Sequence, residues 1–109
     1  MDLRTLCFHL RNRRRMYLLD DRFSTAVAFV EGYNTALDGR PLSGFQEYVT
    51  THVLNRESGL HWSYLIASTK LPAILEGSIS IDQVPPELDI ELTEGLIDLL
   101  ESYQADGSS

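Results

Sequence analysis

The sequence is poor in cysteine. Cys7 is the only one among 109 residues, which excludes an internal disulfide and a zinc site built from several cysteines. A chain with so few cysteines is typical of a reducing compartment, and we expect a cytoplasmic protein. Because Cys7 stands between Leu6 and Phe8, we interpret it as a small core residue rather than a reactive thiol.

Long apolar runs are also absent. No stretch reaches the roughly 18 consecutive apolar residues that a membrane-spanning helix needs, so we expect no membrane partner. The apolar segment LCFHL near the start is short and is soon followed by arginines. We therefore do not expect a secretory signal.

Sequence motifs for catalysis and for cofactor binding are missing. The glycines stand singly, which excludes the phosphate-binding patterns G-x-x-x-x-G-K-S and G-x-G-x-x-G. No serine lies in a G-x-S-x-G context. His52 and His61 lack a carboxylate at a metal-ligand spacing such as H-E-x-x-H. We therefore predict a protein that is not an enzyme and that binds no cofactor and no metal.

What the sequence does contain is the composition of one folded domain. Apolar residues make up 43% and charged residues 23% of the chain, close to the averages for globular proteins. A length of 109 residues fits a single domain with an adequate core. No internal repeat is present. We predict one helical domain over residues 1–105 and a frayed tail over residues 106–109.

Helical periodicity dominates the first half of the chain. A stripe of Leu3, Leu6, Cys7 and Leu10 predicts a short first helix. A second apolar stripe predicts a helix over roughly 24–38, with Ser24 as its N-terminal cap and Gly39 as its stop.

Three further helical segments follow. Ser43 and Gln46 have the spacing of a capping box, which predicts a third helix that ends near Leu54. The polar segment NRESG, residues 55–59, then breaks the chain. The segment LHWSYLIAS predicts a buried helix. A strand is the alternative, because the periodicity of so short an apolar segment fits both. Pro72 and Gly77 mark the two ends of a short helix, PAILEG.

The last third contains an arm and a final helix. SISIDQVPPELDI carries paired prolines, and we predict an extended arm packed on the helices. Thr93 is the predicted cap of the last helix, which has an apolar stripe of Leu96, Leu99, Leu100 and Tyr103. The predicted fold is therefore all-α: a compact single-domain bundle of about five short helices, with an extended proline-containing arm before the last one.

Charge is strongly polarised along the chain. Residues 1–22 hold six of the nine basic side chains and only three acids, whereas residues 76–109 hold nine acids and no base. The formal net charge is −7. We favour internal neutralisation, in which Arg13, Arg14 and Arg15 pair with Asp20, Asp21 or the acidic last helix. An arginine surface that faces a partner stays open as an alternative, and nucleic-acid binding is the weakest one because the chain is acidic.

Several segments resemble a family of small proteins. The family pattern has four parts: the motif R-P-x-M-Y-x-G, then a helix that ends in G-Y, then the motif G-F-x-x-[WY]-[LV], and last a helix that contains tryptophan. The matching stretches here are, in the same order, M-Y-L, F-V-E-G-Y, L-S-G-F-Q-E-Y-V and L-H-W-S-Y-L-I. They resemble small uncharacterised bacterial proteins, some of which are similar to immunity-type proteins of polymorphic toxin systems. The likeness covers Arg15 to Ile66 and implies an interaction protein, with no catalytic residue to carry over.

We therefore expect a non-catalytic protein-binding module, in its specific form an immunity-like inhibitor of a basic partner such as a toxin. The predicted contact residues are acids of the last helix: Glu91, Glu94, Asp98 and Glu101. Secondary interaction candidates are Arg13, Arg14, Arg15, Tyr17 and Trp62, although we favour a core position for Trp62. A structural or regulatory homo-oligomer is the first alternative. A small anionic-ligand binder or enzyme that uses the three arginines, Tyr17, His52 or His61 is the second.

Overall fold

The computed structural model describes residues 1–54 and 58–107. Over these ranges the chain is all-α and contains no strand, which confirms the predicted fold class. None of the helices found there is long and apolar enough to cross a membrane. The α-helices are α1 Leu3–Asn12, α2 Phe23–Ala36, α3 Phe45–Val49, α4 Trp62–Ala67 and α5 Pro86–Gly107. Short 3-10 turns at Arg14–Met16, Pro72–Glu76 and Ile81–Gln83, and a π-helical turn at Thr50–Leu54, connect or extend them.

Helix α1 forms where its periodicity predicts. The Asp2 carboxylate accepts a hydrogen bond from the Thr5 backbone N–H at 2.8 Å, and hydrogen bonds from Thr5 lower the pKa of Asp2. This bond satisfies one of the free N–H groups at the helix start. All four residues of the predicted stripe are buried.

Helix α5 is the central element, and it is much longer than predicted, with 22 residues. Leu92, Leu96, Ile97 and Leu100 on its inner face are each at most 1% exposed. Helices α1, α2, α3 and α4 all pack against α5, and α1 does so most extensively.

The predicted cap at Thr93 is wrong, because α5 already begins at Pro86. Thr93 is buried, and its hydroxyl has no hydrogen-bond partner within the described part of the chain. The predicted arm is correspondingly shorter: it contains the 3-10 turn Ile81–Gln83, and ELDI belongs to the helix. A proline is well suited to the first helical turn, where its missing N–H has no partner to lose.

The start of α2 also differs from the prediction. The helix begins at Phe23, so Ser24 lies inside its first turn. Two aspartates fix this end instead: Asp89 of α5 accepts the Phe23 N–H at 2.9 Å, and Asp20 accepts the Arg22 N–H at 3.0 Å. A hydrogen bond from Thr25 and the one from Arg22 lower the pKa of Asp20.

The end of α2 agrees with the predicted glycine stop. Asp38 and Gly39 adopt φ values of 60° and 77°, and the Gly39 N–H donates to the Asn34 carbonyl at 2.8 Å. This left-handed pair satisfies a carbonyl of the last helical turn. A substitution of Gly39 would strain the backbone there.

The predicted capping box at Ser43 and Gln46 is wrong. Helix α3 starts after Gly44, whose φ is 93°, and the Gln46 side-chain amide donates to the Leu60 carbonyl at 2.8 Å. The helical path does reach Leu54, as predicted, through the π-helical turn.

The segment around Trp62 is helical, which removes the strand alternative. Its cap is the imidazole of His61, whose Nδ1 accepts the Ser63 N–H at 3.1 Å. Gly77, at φ 79°, ends the next short helix as predicted. The predicted break at residues 55–59 falls partly on residues 55–57, which lie outside the described residues.

The C-terminal end differs from the predicted tail. Asp106 and Gly107 belong to α5, so the helix continues past the predicted domain end. Ser108 and Ser109, the rest of that tail, lie outside the described residues.

Two leucines allow a matched test of the core. Leu96 is fully buried and Leu19 is 96% exposed. We expect Leu96→Ala to lower the free energy of unfolding by about 2–5 kcal/mol, because it removes buried methyl groups and leaves a cavity. Leu19→Ala should change it by less than about 0.5 kcal/mol. Urea unfolding of both variants checks this, and equal effects would contradict the assigned core.

The buried thiol supplies a second test. Burial, and then the charge of Glu101, raises the pKa of Cys7 to about 11. The thiol therefore stays protonated at about pH 8, and its alkylation by iodoacetamide in the native protein should be on the order of a hundredfold slower than in urea. A mass-spectrometric time course measures both rates. Similar rates in the two conditions would show that Cys7 is accessible.

Candidate functional site

The arginine-rich segment and the acidic helix meet in space. Arg11 at the end of α1 reaches α5, where its Nη2 lies 2.7 Å from Asp98 Oδ1 and 2.9 Å from Glu101 Oε1. Its Nη1 lies 3.6 Å from Glu94 Oε2. Hydrogen bonds to Glu101 and Asp98 raise the pKa of Arg11. We call Arg11, Arg14, Glu94, Asp98 and Glu101 the ion cluster.

Internal neutralisation is confirmed for two of the three predicted arginines. Arg14 lies 3.9 Å from Glu94 and donates from Nε to the Leu10 carbonyl at 2.9 Å. Arg15 pairs with Asp21 at 2.7 Å. Arg13 instead places its guanidinium carbon 5.8 Å from the centre of the Phe8 ring, a cation–π contact.

These pairs neutralise most of the local charge. Arg11, Arg14 and Arg15 carry +3, and Asp21, Glu94, Asp98 and Glu101 carry −4. Arg13, which lies over the Phe8 ring, adds the charge that brings the formal sum to zero. Glu91, the remaining predicted contact acid, lies 3.3 Å from Lys70. All four predicted contact acids therefore lie on α5 beside a cation of the same chain.

Trp62, the aromatic interaction candidate, is in the core. It is 3% exposed, and its ring packs edge-on against Phe45 at 5.2 Å between centroids. The favoured core position is confirmed, and Trp62 is not available as a surface anchor.

The structure exposes a different set of apolar side chains. Leu19 is 96% exposed, Met16 73%, Phe8 50% and Tyr17 37%. The aromatic rings form a continuous row, since His9 lies 5.7 Å from Phe8 and 4.7 Å from Tyr17 between centroids. We call Phe8, Met16, Tyr17 and Leu19 the connection surface, because they lie on the last turns of α1 and in the connection to α2.

Sequence reasoning named only Tyr17 of these four. A signal for Phe8 was present, because it lies off the helical stripe formed by Leu3, Leu6 and Leu10. For Met16 and Leu19 the sequence offers no comparable signal, since Leu18 between them is buried.

The two histidine candidates for an anionic-ligand site contact residues other than the arginine candidates. His52 Nδ1 is 2.8 Å from the Tyr48 carbonyl, and His61 Nε2 is 3.4 Å from Glu31. An open depression of about 490 Å³ does run along the arginines, but Asp21 lies in its lining and is paired with Arg15. Within residues 1–54 and 58–107, no group of three His, Cys, Asp or Glu side chains is placed to hold a metal ion.

Comparison of the chain with family models, with curated proteins and with solved structures gave no significant match.

The ion cluster generates a prediction about salt. We expect Arg11→Gln to lower the free energy of unfolding by about 1 kcal/mol, because several partly exposed ion pairs are lost together. The loss should shrink between about 20 mM and about 1 M NaCl, since salt screens exposed charges. Urea unfolding at both salt concentrations measures it.

Arg40→Gln is the matched control. Arg40 is 3.5 Å from Asp38, and both side chains are more than 70% exposed, so we expect a change of less than about 0.5 kcal/mol. If the two variants behaved alike, Arg11 would not hold α1 to α5 more firmly than an ordinary surface pair.

Proposed function

We propose that the chain is a non-catalytic protein-binding module that binds its partner through the connection surface. The observation that carries the proposal is the exposure of four large apolar side chains within one segment, residues 8–19, with Leu19 at 96% and Met16 at 73%. Contiguous exposed apolar side chains mark protein-interaction sites. Aromatic residues and methionine are enriched in the cores of such interfaces.

The surroundings of this surface support a protein partner over a nucleic acid. Arg11, Arg14 and Arg15 are held by carboxylates of the same chain, and the formal charges at the site sum to zero. Nucleic-acid binding needs arginines that are free to neutralise phosphates. A protein interface, by contrast, combines an apolar centre with polar surroundings.

An immunity-like inhibitor of a basic toxin is the specific form of the proposal. The resemblance to immunity-type proteins supports it, and so does the net charge of −7. A charge of that size attracts a basic protein over the distance of a Debye length and raises the association rate. This long-range attraction does not require Glu91, Glu94, Asp98 and Glu101 to be free of their own partners.

Homo-oligomerisation is the second candidate, because an exposed apolar surface can also pair with its own copy. Light scattering after size exclusion distinguishes the two functions. A partner-binding module elutes as a monomer when alone, whereas a homo-oligomer shows a fixed multiple of 12.3 kDa.

The test of the connection surface uses a double variant, Met16→Ser/Leu19→Ser. A partner is first captured from a lysate of the native host at low salt, identified by mass spectrometry and purified. We expect the double variant to bind this purified partner about tenfold more weakly or worse, because apolar anchors at an interface centre carry most of its energy. Calorimetric titration measures the two affinities.

Ile90→Ser is the matched control, because Ile90 is 52% exposed but lies on α5. The affinity of this control variant for the partner should equal that of the unmodified chain. An equal loss of affinity in Ile90→Ser and in Met16→Ser/Leu19→Ser would contradict binding through the connection surface. For a basic partner, the association rate should fall as salt rises. A rate independent of salt would reject a basic partner.

A further inference from the structure

A second feature lies on the other side of α5. An open depression of about 370 Å³ is bounded by α3, the π-helical turn and the end of α5, and its lining includes Glu47, Tyr48, Thr51, His52, Tyr103 and Asp106. Tyr103 lies roughly half a turn around α5 from Glu94, Asp98 and Glu101 of the ion cluster. No residue that lines the depression belongs to the connection surface, so the two are separate.

Aromatic rings form one wall of this depression. The rings of Tyr48 and Tyr103 lie 5.5 Å apart at 71°, and His52 stacks on Tyr48 at 3.9 Å. Hydrogen bonds hold both phenols: Tyr103 donates to the Ser43 carbonyl, and Tyr48 donates to Asp106 at 3.1 Å. The rings are thus fixed before any ligand arrives.

Carboxylates supply the charge of the depression. Glu47 and Asp106 are both exposed residues in its lining, and no lysine or arginine lines it among the residues that the structure describes. Burial and then the charge of Glu47 raise the pKa of Tyr103, so the field of this carboxylate reaches the phenol. Aromatic faces beside carboxylates attract a cation and repel an anion.

We propose that this tyrosine–carboxylate depression binds an arginine or lysine side chain of a partner protein. The cationic head would lie against the ring of Tyr103 and donate hydrogen bonds to Glu47 and Asp106, while Tyr48, which His52 already covers on one face, would border the site. The apolar stem of the side chain would cover the ring edges. Charge complementarity with the two carboxylates identifies the occupant as a cationic side chain. The assignment of this side chain to a partner protein rests on the proposed function.

The test uses small probes, so that it does not depend on finding the partner. N-acetyl-arginine amide and N-acetyl-lysine amide are titrated into the full chain, and aromatic NMR signals are followed. We expect saturable shifts of the Tyr48 and Tyr103 ring signals. N-acetyl-norleucine amide, the neutral equivalent of the lysine probe, should cause none. Equal shifts with the neutral probe would overturn the inference.

Variants assign the contribution of the carboxylates. Glu47→Gln/Asp106→Asn should weaken binding of the cationic probes about threefold for each carboxylate removed, since an exposed ion pair has a small net energy. Glu87→Gln, which removes an exposed acid elsewhere on α5, should leave binding unchanged. Unchanged binding by the double variant would overturn the inference.

The same double variant separates this inference from the proposed function. Probe binding at the depression, together with no protein partner that binds the chain, would contradict the proposed function alone. Undiminished affinity of an identified partner for the double variant would contradict this inference alone. A salt-labile self-complex that the double variant abolishes would show that the occupant is an arginine of a second copy, which also overturns the assignment to a partner.

Discussion

Helix α5 can bury its apolar face only if the other four helices gather around it. Its inner leucines are inaccessible to water, and each of α1, α2, α3 and α4 covers part of them. Burial of apolar surface is the main favourable term in folding, and α5 is the element against which each of the other α-helices buries part of its surface. The positions of both candidate binding surfaces follow from this arrangement, because one lies where α1 ends beside α5 and the other where α3 meets its C-terminal turns.

The packing of α1 on α5 brings basic and acidic segments that are far apart in the sequence close together in space. Arg11 in α1 and Arg14 just after it lie beside acids of α5 because the two helices pack together, and Arg11 alone contacts two carboxylates within 3 Å. The acidity of the chain is then carried mainly by side chains outside the ion cluster. An apolar surface next to paired ions is desolvated at lower cost than one ringed by free charges, because few unpaired ions lose their water.

Periodicity was sufficient to predict the fold class and the stripe of α1, and the glycine stops at Gly39 and Gly77 were found because left-handed backbone favours glycine. The predicted N-terminal caps failed for different reasons. Helices α3 and α5 begin at other positions, after Gly44 and at Pro86, in place of Ser43 and Thr93. At α2, the Phe23 N–H is bound by Asp89, 66 residues away, and Ser24 is not used. A local pattern contains no information about such a contact.

The connection surface was hard to predict for a related reason. Leu18 and Leu19 are adjacent and chemically identical, yet one is 5% and the other 96% exposed. Outside a regular helix no periodicity decides which of two neighbours turns inward, and the path of the chain between α1 and α2 decides it. The charge pairing could be anticipated because opposite charges were concentrated in two segments, although Arg11, the residue with the most ionic contacts, was not among those singled out.

The burial of Trp62 gives the molecule an internal optical reporter. It is the only tryptophan in the chain, and it begins α4 with its ring against Phe45 of α3. Its fluorescence therefore reports the integrity of the packed interior and should shift to longer wavelength when water enters. Because the indole is remote from solvent, ligands that settle on the outside of the protein can be studied while the same signal verifies that the interior stays intact.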